Sequence, residues 1–148
     1  MTQEDKQLLL KDLCMRIPYR TFVCLNPGAY NKPETCLLCG IDGEKVYLNV
    51  DSDPFRVDHI KPYLRSMSSM TEEEFESLKE YSGLKYDQLD LASYQNGTYK
   101  CLDFYLSEVP SYVIILVFDW LNEHHFDYRG LIEMGLAIEA PEGMYKND

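Results

Sequence analysis

The sequence predicts an α+β fold, in which a small antiparallel sheet or partial barrel packs with an N-terminal helix and a C-terminal helical hairpin. Apolar residues recur at helical spacing near both ends of the chain, and short alternating segments bounded by turn residues lie between them. A chain of 148 residues, of which 45% are hydrophobic, is typical of a single domain over residues 1–148. Such a domain buries enough apolar surface to fold without disulfides or metals.

An amphipathic helix is predicted over residues 2–16. Thr2 is a good helix cap, and Asp5 lies in the first turn, where a carboxylate is favoured. The Ile17-Pro18 pair ends the helix, because the residue before a proline is disfavoured in helical conformation. The predicted buried face consists of Leu8, Leu9, Leu13 and Met15.

Short strands are predicted next, at residues 20–25, 35–41, 45–50 and 57–64. In the third, Val46, Leu48 and Val50 alternate with polar positions, which is the period of a half-buried strand. The Asp42-Gly43 pair between the second and third segments predicts a hairpin turn, because this pair tolerates the positive φ of a type I′ turn.

A surface helix is predicted over residues 71–81. Thr71 followed by Glu74 is the pattern of a capping box, and Gly83 is a good end. Its predicted buried face consists of Phe75, Leu78 and Tyr81. Residues 84–96 lack a clear period and predict a loop, residues 96–97 (Asn-Gly) predict a turn, and residues 98–106 alternate as a strand.

The densest apolar run, residues 110–128, predicts the central core helix. Pro110 suits a first helical turn. An apolar stripe follows at helical spacing, formed by Val113, Leu116, Val117, Trp120 and Leu121, and the polar residues Asp119, Asn122 and Glu123 fall on the other side. A buried strand is the alternative, because residues 113–118 are rich in β-branched side chains. A membrane span needs about 20 consecutive apolar residues, and Asp119 interrupts this run.

A second helix is predicted over residues 128–134, which would complete the C-terminal hairpin. Asp127 is a suitable cap for it and Gly135 a suitable end. Met144 and Tyr145 are predicted to return onto the core beyond the break at Pro141.

The charge of the chain excludes some partners. A formal net charge of −11 argues against a nucleic-acid backbone or an anionic membrane, since both require clustered Lys and Arg. The odd number of cysteines, five, and an acidic start without a secretory pattern predict free thiols in a reducing cytoplasm.

Two groups of residues have the composition of metal sites, yet neither predicts a metal or another cofactor. Cys36 and Cys39 have zinc-knuckle spacing, but a zinc site needs four ligands, and positions three apart on a strand face opposite sides. Adjacent His124 and His125 would point about 100° apart on a helix. An imidazole at a helix C-terminus is the simpler interpretation, because the helix dipole favours a cation there.

Catalytic residues are not predicted. The chain has no nucleophile-elbow signature and no Gly-rich phosphate loop. The candidate binding residues are instead Lys61, Tyr63 and Arg65, which would line one side of a strand just before a helix N-terminus, a place that suits an anion or a peptide. A structured connector leading to a capped helix is the alternative. His124 and His125 complete the candidate set.

Three blocks of the chain resemble a family of short proteins from gut anaerobic bacteria. These blocks are residues 11–19 (KDLCMRIPY), 60–74 (IKPYLRSMSSMTEEE) and 125–145 (HFDYRGLIEMGLAIEAPEGMY), about a third of the chain. Ser66 stands where such relatives have proline, so the bend there is expected to differ. The resemblance implies an accessory or mobile-element protein and no particular activity.

These observations lead to three hypotheses for the function. The first is a non-enzymatic cytoplasmic protein-interaction module encoded on a mobile element. The second is a small enzyme or ligand-binding protein that uses the Lys61, Tyr63, Arg65 and the His124, His125 regions, and the third is an acidic decoy that inhibits a nucleic-acid enzyme. The first is favoured, because many tyrosines and acidic residues occur without a catalytic signature.

Overall fold

A computed structural model describes residues 1–25, 32–83 and 110–145, together with the backbone of four two-residue strands between residues 89 and 104. Its contacts form two compact units, one made of Met1–Leu64 and Arg129–Asp148 and the other of Arg65–Tyr128. Helices and a mixed sheet occur together, so the predicted α+β class is confirmed.

The helices are α1 (Gln3–Arg16), α2 (Glu72–Ser82) and α3 (Ser111–Glu123), with single 3₁₀ turns at Ile17–Tyr19, Val57–His59 and Met67–Ser69. The strands are β1 (Phe22–Leu25), β2 (Glu34–Asp42), β3 (Lys45–Leu48), β4 (Phe55–Arg56), β5 (Ile60–Ser66), β6 (Leu89–Asp90), β7 (Tyr94–Gln95), β8 (Thr98–Tyr99), β9 (Asp103–Phe104), β10 (Phe126–Asp127) and β11 (Ile138–Glu139).

Helix α1 begins as predicted. The Thr2 hydroxyl accepts a hydrogen bond from the Asp5 backbone N–H, and the Asp5 carboxylate accepts one from the Thr2 N–H, both at 3.0 Å. Leu9 and Leu13 are fully buried, whereas Met15 is 44% exposed. The prediction that Met15 is buried is therefore wrong, because the buried face of α1 includes Asp12 and Arg16 instead.

Asp12 and Arg16 form an ion pair that is fully buried on α1. The Arg16 guanidinium donates to both Asp12 carboxylate oxygens, at 2.7 and 3.1 Å, and Arg129 makes a second ion pair with Asp12 at 3.2 Å. Two cations on one carboxylate offset the cost of removing these charges from water.

The sheet of the first unit has the strand order β11-β5-β1-β2-β3-β4. Its pairs are antiparallel except that β11 runs parallel to β5, so the sheet is mixed rather than purely antiparallel. In the β2–β3 hairpin Asp42 lies opposite Lys45, which places the turn at Gly43 and Glu44, one residue later than predicted. Gly43 has a φ of 61°, which glycine adopts without strain.

Helix α1 packs on one face of this sheet. Leu9 and Leu13 share a core with buried strand residues and with the chain beyond Arg129; the cluster includes Val23, Leu25, Cys36, Leu38, Val46, Leu48, Ile60, Leu64, Leu131 and Leu136. Burial of these apolar side chains is the main stabilising contribution in this unit.

The second unit is built on α2 and α3. Thr71 and Glu74 form the predicted capping box, and Gly83 ends α2 with a φ of 75°. Tyr81 was predicted to be buried and is 50% exposed, so this prediction is wrong. The shared core contains Met67, Met70, Phe75, Leu78, Val113, Val117, Trp120, Leu121 and Phe126.

Residues 111–123 form a helix, so the alternative of a buried strand does not apply. Pro110 precedes the first helical residue. Asn122, predicted on the polar side, is 1% exposed, and its side-chain oxygen accepts a hydrogen bond from the Tyr128 hydroxyl at 3.0 Å. Among the described residues, no helix is both long and apolar enough to cross a membrane.

The predicted helix at residues 128–134 is absent, so the C-terminal helical hairpin is wrong. Asp127 lies in β10, opposite Ser66 of β5, instead of capping a helix. Gly130 has a φ of 76°, which breaks a right-handed helix two residues after its predicted start, and Gly135 has a φ of 74°. The chain forms hydrogen-bonded turns here and then β11.

The predictions for residues 84–109 lie largely outside the described residues. Within the predicted loop 84–96, β6 and β7 are strands. Residues 98–99 and 103–104 of the predicted strand 98–106 form β8 and β9. Strands β7 and β8 pair antiparallel on either side of the predicted Asn-Gly turn.

Candidate functional site

Lys61 and Tyr63 lie on the face of the first unit's sheet that is opposite α1. Pro62 and Leu64 between and after them are buried, and side chains alternate along a strand. Cys24 of β1 lies opposite Lys61 of β5 on one side and opposite Thr35 of β2 on the other. We call the set Phe22, Cys24, Thr35, Lys61 and Tyr63 the open face; Thr35 and Lys61 are exposed, Phe22 and Tyr63 are half-buried, and Cys24 is buried.

The Tyr63 phenol lies near two other members of the open face, the Thr35 hydroxyl and the Cys24 thiol. The Thr35 side chain lowers the pKa of the Tyr63 phenol, but burial and the neighbouring Cys24 together raise the pKa above its ordinary value. Tyr63 is therefore a neutral phenol at physiological pH, able to donate or to accept a hydrogen bond.

Lys61 is exposed and supplies the positive charge of the open face. The ion pairs among the described residues use Lys6, Arg16, Arg56, Arg65, Lys79 and Arg129 as their cations, and Lys61 is not one of them. The three N–H donors of its ammonium group are therefore available to solvent or to a bound partner.

Tyr145 holds the two central strands of the open face together. Its hydroxyl accepts a hydrogen bond from the Phe22 N–H at 2.8 Å and donates one to the Tyr63 carbonyl at 2.9 Å. The last backbone pair between β1 and β5 is Val23 with Pro62. The Tyr145 hydroxyl therefore bridges the two strands just beyond the end of their direct pairing. Burial raises the pKa of the Tyr145 phenol, which keeps it a donor.

Arg65, also predicted as a binding residue, belongs to the second unit. Its guanidinium donates to both carboxylate oxygens of Glu74, at 2.7 and 2.8 Å, and lies 4.2 Å from the centre of the Phe126 ring. Burial alone would raise the pKa of Glu74, but Arg65 and the Thr71 capping bonds hold this pKa below its ordinary value. Arg65 thus attaches the start of α2 to the end of β5.

His124 and His125 lie at the end of α3 in different environments. The His124 ring stacks on Trp120 at a centroid distance of 3.9 Å, and its Nδ1 is 2.9 Å from the Trp120 carbonyl oxygen. His125 is buried with a φ of 63°, and its carbonyl accepts a hydrogen bond from the Arg65 N–H at 2.7 Å. The structure therefore brings His125 to Arg65 through the backbone, while Lys61 and Tyr63 belong to the other unit.

The two cysteines of β2 differ in their exposure, so an interpretation as two packed thiols holds for Cys36 and is wrong for Cys39. Cys36 is buried in the core and Cys39 is exposed. Burial, followed by the charges of Glu34 and Cys24, raises the pKa of the Cys36 thiol. Within the part of the chain that the structure describes, no three His, Cys, Asp or Glu side chains converge on a metal position.

No protein-family model, no curated protein and no solved structure matches this chain. The resemblance to short proteins of gut anaerobes stays a prediction. Cys24 and Thr35, which complete the open face, were missed by sequence reasoning. Only the register of β1 against its two neighbours brings them to Lys61, and no sequence motif signals that register.

Proposed function

We propose that this protein is a non-enzymatic, cytoplasmic interaction module that binds a protein partner through the open face. The supporting observation is the exposed, unshared charge of Lys61 on the sheet face opposite α1, which also carries the Thr35 and Tyr63 hydroxyls. Half-buried Phe22 and Leu37 lie opposite each other on the same side. Apolar side chains rimmed by hydrogen-bonding groups are typical of protein interfaces.

The alternative of a small enzyme has less support. Arg65 makes its two side-chain hydrogen bonds with Glu74, and the His124 ring is stacked on Trp120 with Nδ1 directed at a backbone carbonyl. These contacts favour a role in holding the second unit together. The bacterial origin, the mobile-element context and the acidic-decoy hypothesis remain predictions of the sequence.

The proposal is tested by affinity capture of the tagged protein from lysate of its native host, followed by mass spectrometry. The test variant combines Thr35→Arg with Lys61→Glu, two exposed positions on the strands that flank β1 on either side. We expect the wild-type protein to retain a near-stoichiometric partner and the test variant to lose it, because the variant adds a bulky cation at position 35 and replaces the cation at position 61 by an anion.

Lys45→Glu is the matched control, since Lys45 is exposed on β3 and the charge change at this position equals that at Lys61. Circular dichroism of all three proteins checks that the fold is kept. Equal recovery of the partner by the test variant would contradict the open face as the contact surface. Turnover of small substrates by the purified protein in a broad hydrolase or transferase screen would contradict a non-enzymatic function.

A further inference from the structure

Helix α3 presents an apolar and acidic stripe on its outer side. Tyr112 is 66% exposed and Ile115 is 60% exposed, although both are large apolar side chains. Asp119 and Glu123 follow at spacings of four residues, which places them on the same side of the helix. We call these four residues the outer stripe.

The charges of the outer stripe lie in the C-terminal half of α3, with Glu123 in the last turn and Asp119 just before it. The C-terminus of a helix carries a partial negative charge and favours cations. Helix α3 has no acidic residue in its first turn and no basic residue in its last turn, while Glu123 is its final residue. Neither carboxylate takes part in any of the ion pairs found among the described residues. Helix stability therefore does not explain their placement.

We propose that the outer stripe is a second docking surface, which takes a basic amphipathic helix of a partner protein. The apolar half of the stripe, Tyr112 and Ile115, would contact the apolar face of that helix. Asp119 and Glu123, whose field adds to that of the helix terminus, would pair with its Lys or Arg side chains. At 1.5 Å of rise per residue the stripe extends over roughly 16 Å, about three turns of a bound helix.

The charge of the chain favours this occupant over a second copy of the protein. Two copies would each bring a net charge of −11 and the same two carboxylates to the contact. Like charges facing each other across an interface are unfavourable, whereas a basic helix complements both the stripe and the net charge.

This surface lies in the second unit and goes beyond the proposed role of the open face in the first. Lys61→Glu, which disrupts the open face, is expected to leave binding at the outer stripe unchanged. Failure of one proposal can therefore be distinguished from failure of the other.

The experiment is isothermal titration calorimetry of the full chain with two synthetic helical peptides, each about 18 residues long, or roughly five turns. Both carry the same leucine stripe, flanked by Lys in one peptide and by Glu in the other. We expect the Lys peptide to bind at least about tenfold more tightly than the Glu peptide. Ile115→Ser, and separately the pair Asp119→Asn with Glu123→Gln, should each weaken that binding about tenfold or more.

Asp51→Asn with Asp53→Asn is the matched control, because it removes the same charge from exposed positions in the first unit. Unchanged affinity in this control supports a local contact. The proposal is overturned if the control weakens binding as much as the outer-stripe pair, since the attraction would then reflect net charge alone. It is also overturned if the two peptides bind equally, or if sedimentation shows a dimer that Ile115→Ser dissociates.

Discussion

Tyr145 shows how a single side chain links distant parts of the sequence into one sheet. It is 123 residues from Phe22 along the chain, yet its hydroxyl lies between the backbones of β1 and β5. The sequence predicted that Tyr145 returns onto the core. Its hydrogen bonds with two strands depend on where the pairing of β1 with β5 ends, and no local sequence signal marks that position.

Removal of the Tyr145 hydroxyl is expected to destabilise the protein. Tyr145→Phe keeps the ring but leaves the Phe22 N–H and the Tyr63 carbonyl without this partner, so we expect a loss of about 1–3 kcal/mol in the free energy of unfolding. Urea denaturation measures it. Tyr47→Phe, at a position that is 39% exposed, is the control and should change stability by less than about 0.5 kcal/mol. Equal stability of the two variants would contradict the bridging role.

The same hydroxyl is expected to make stability depend on alkaline pH. The pKa of Tyr145 in the folded protein lies above its ordinary value of 10.0, so above that pH the folded state retains a proton that the unfolded chain loses. The contribution of Tyr145 is therefore complete below pH 10 and decreases as the pH rises beyond it. Unfolding free energies measured across this range should fall more steeply for the wild type than for Tyr145→Phe. Parallel curves would contradict this prediction.

Glu74 is expected to stabilise the folded protein at neutral pH and to lose this effect in acid. Its pKa in the folded protein lies below the ordinary value of 4.5, so its stabilising effect is complete above that pH and is lost as the pH falls through the folded pKa. Glu74→Gln should lower the thermal midpoint at pH 7 and have a smaller effect near pH 3. Glu72→Gln is the control, because Glu72 is exposed in the same first turn. A Glu74→Gln deficit that is independent of pH would rule out the ion pair with Arg65 as its cause.

Among the elements, those with local signals were predictable and those formed by distant pairing were not. The capping boxes of α1 and α2 each depend on residues within four consecutive positions, and both form as predicted. Strands β10 and β11 are two residues long and exist because they pair parallel to β5, a nonlocal contact. The failed helix at residues 128–134 has the same origin, since pairing of Asp127 and the positive φ of Gly130 commit the chain to turns.

The candidate site likewise contains residues that were predictable from the sequence and residues that were not. Alternation along one strand was enough to place Lys61 and Tyr63 on one side of β5, with Leu64 on the other. Cys24 and Thr35 join them only through the registers of β1 with β5 and with β2. Helical spacing likewise does not reveal that Met15 and Tyr81 are exposed, because the neighbours of a helix decide which part of its apolar face is covered.

The buried face of α1 provides a test at the scale of one element. Leu13 is fully buried, so Leu13→Ala should cost about 2–5 kcal/mol of unfolding free energy through lost transfer energy and a cavity. Met15→Ala on the same helix should cost less than about 0.5 kcal/mol, because that side chain is 44% exposed. Chemical denaturation of both variants measures the difference. Similar losses would contradict the orientation of α1 on the sheet.

At the scale of the whole molecule, an acidic chain keeps an exposed cation, Lys61, on one sheet face. In a chain with a net charge of −11, an exposed lysine on a sheet face with two hydroxyl groups is a suitable position for a specific contact. In the second unit, the Arg65 side chain is bonded to Glu74 and the His124 ring is stacked on Trp120. Both observations support the proposal that the open face recognises a partner.

Site-specific photocrosslinking tests this central claim most directly. A photoreactive amino acid is placed at position 61 in one protein and at position 45 in a second, and each is irradiated inside the native host. The account predicts one discrete protein adduct from position 61 and little or none from position 45, with loss of the adduct when Thr35→Arg is added. Equal adducts from both positions, or none from position 61, would contradict binding of a partner at the open face.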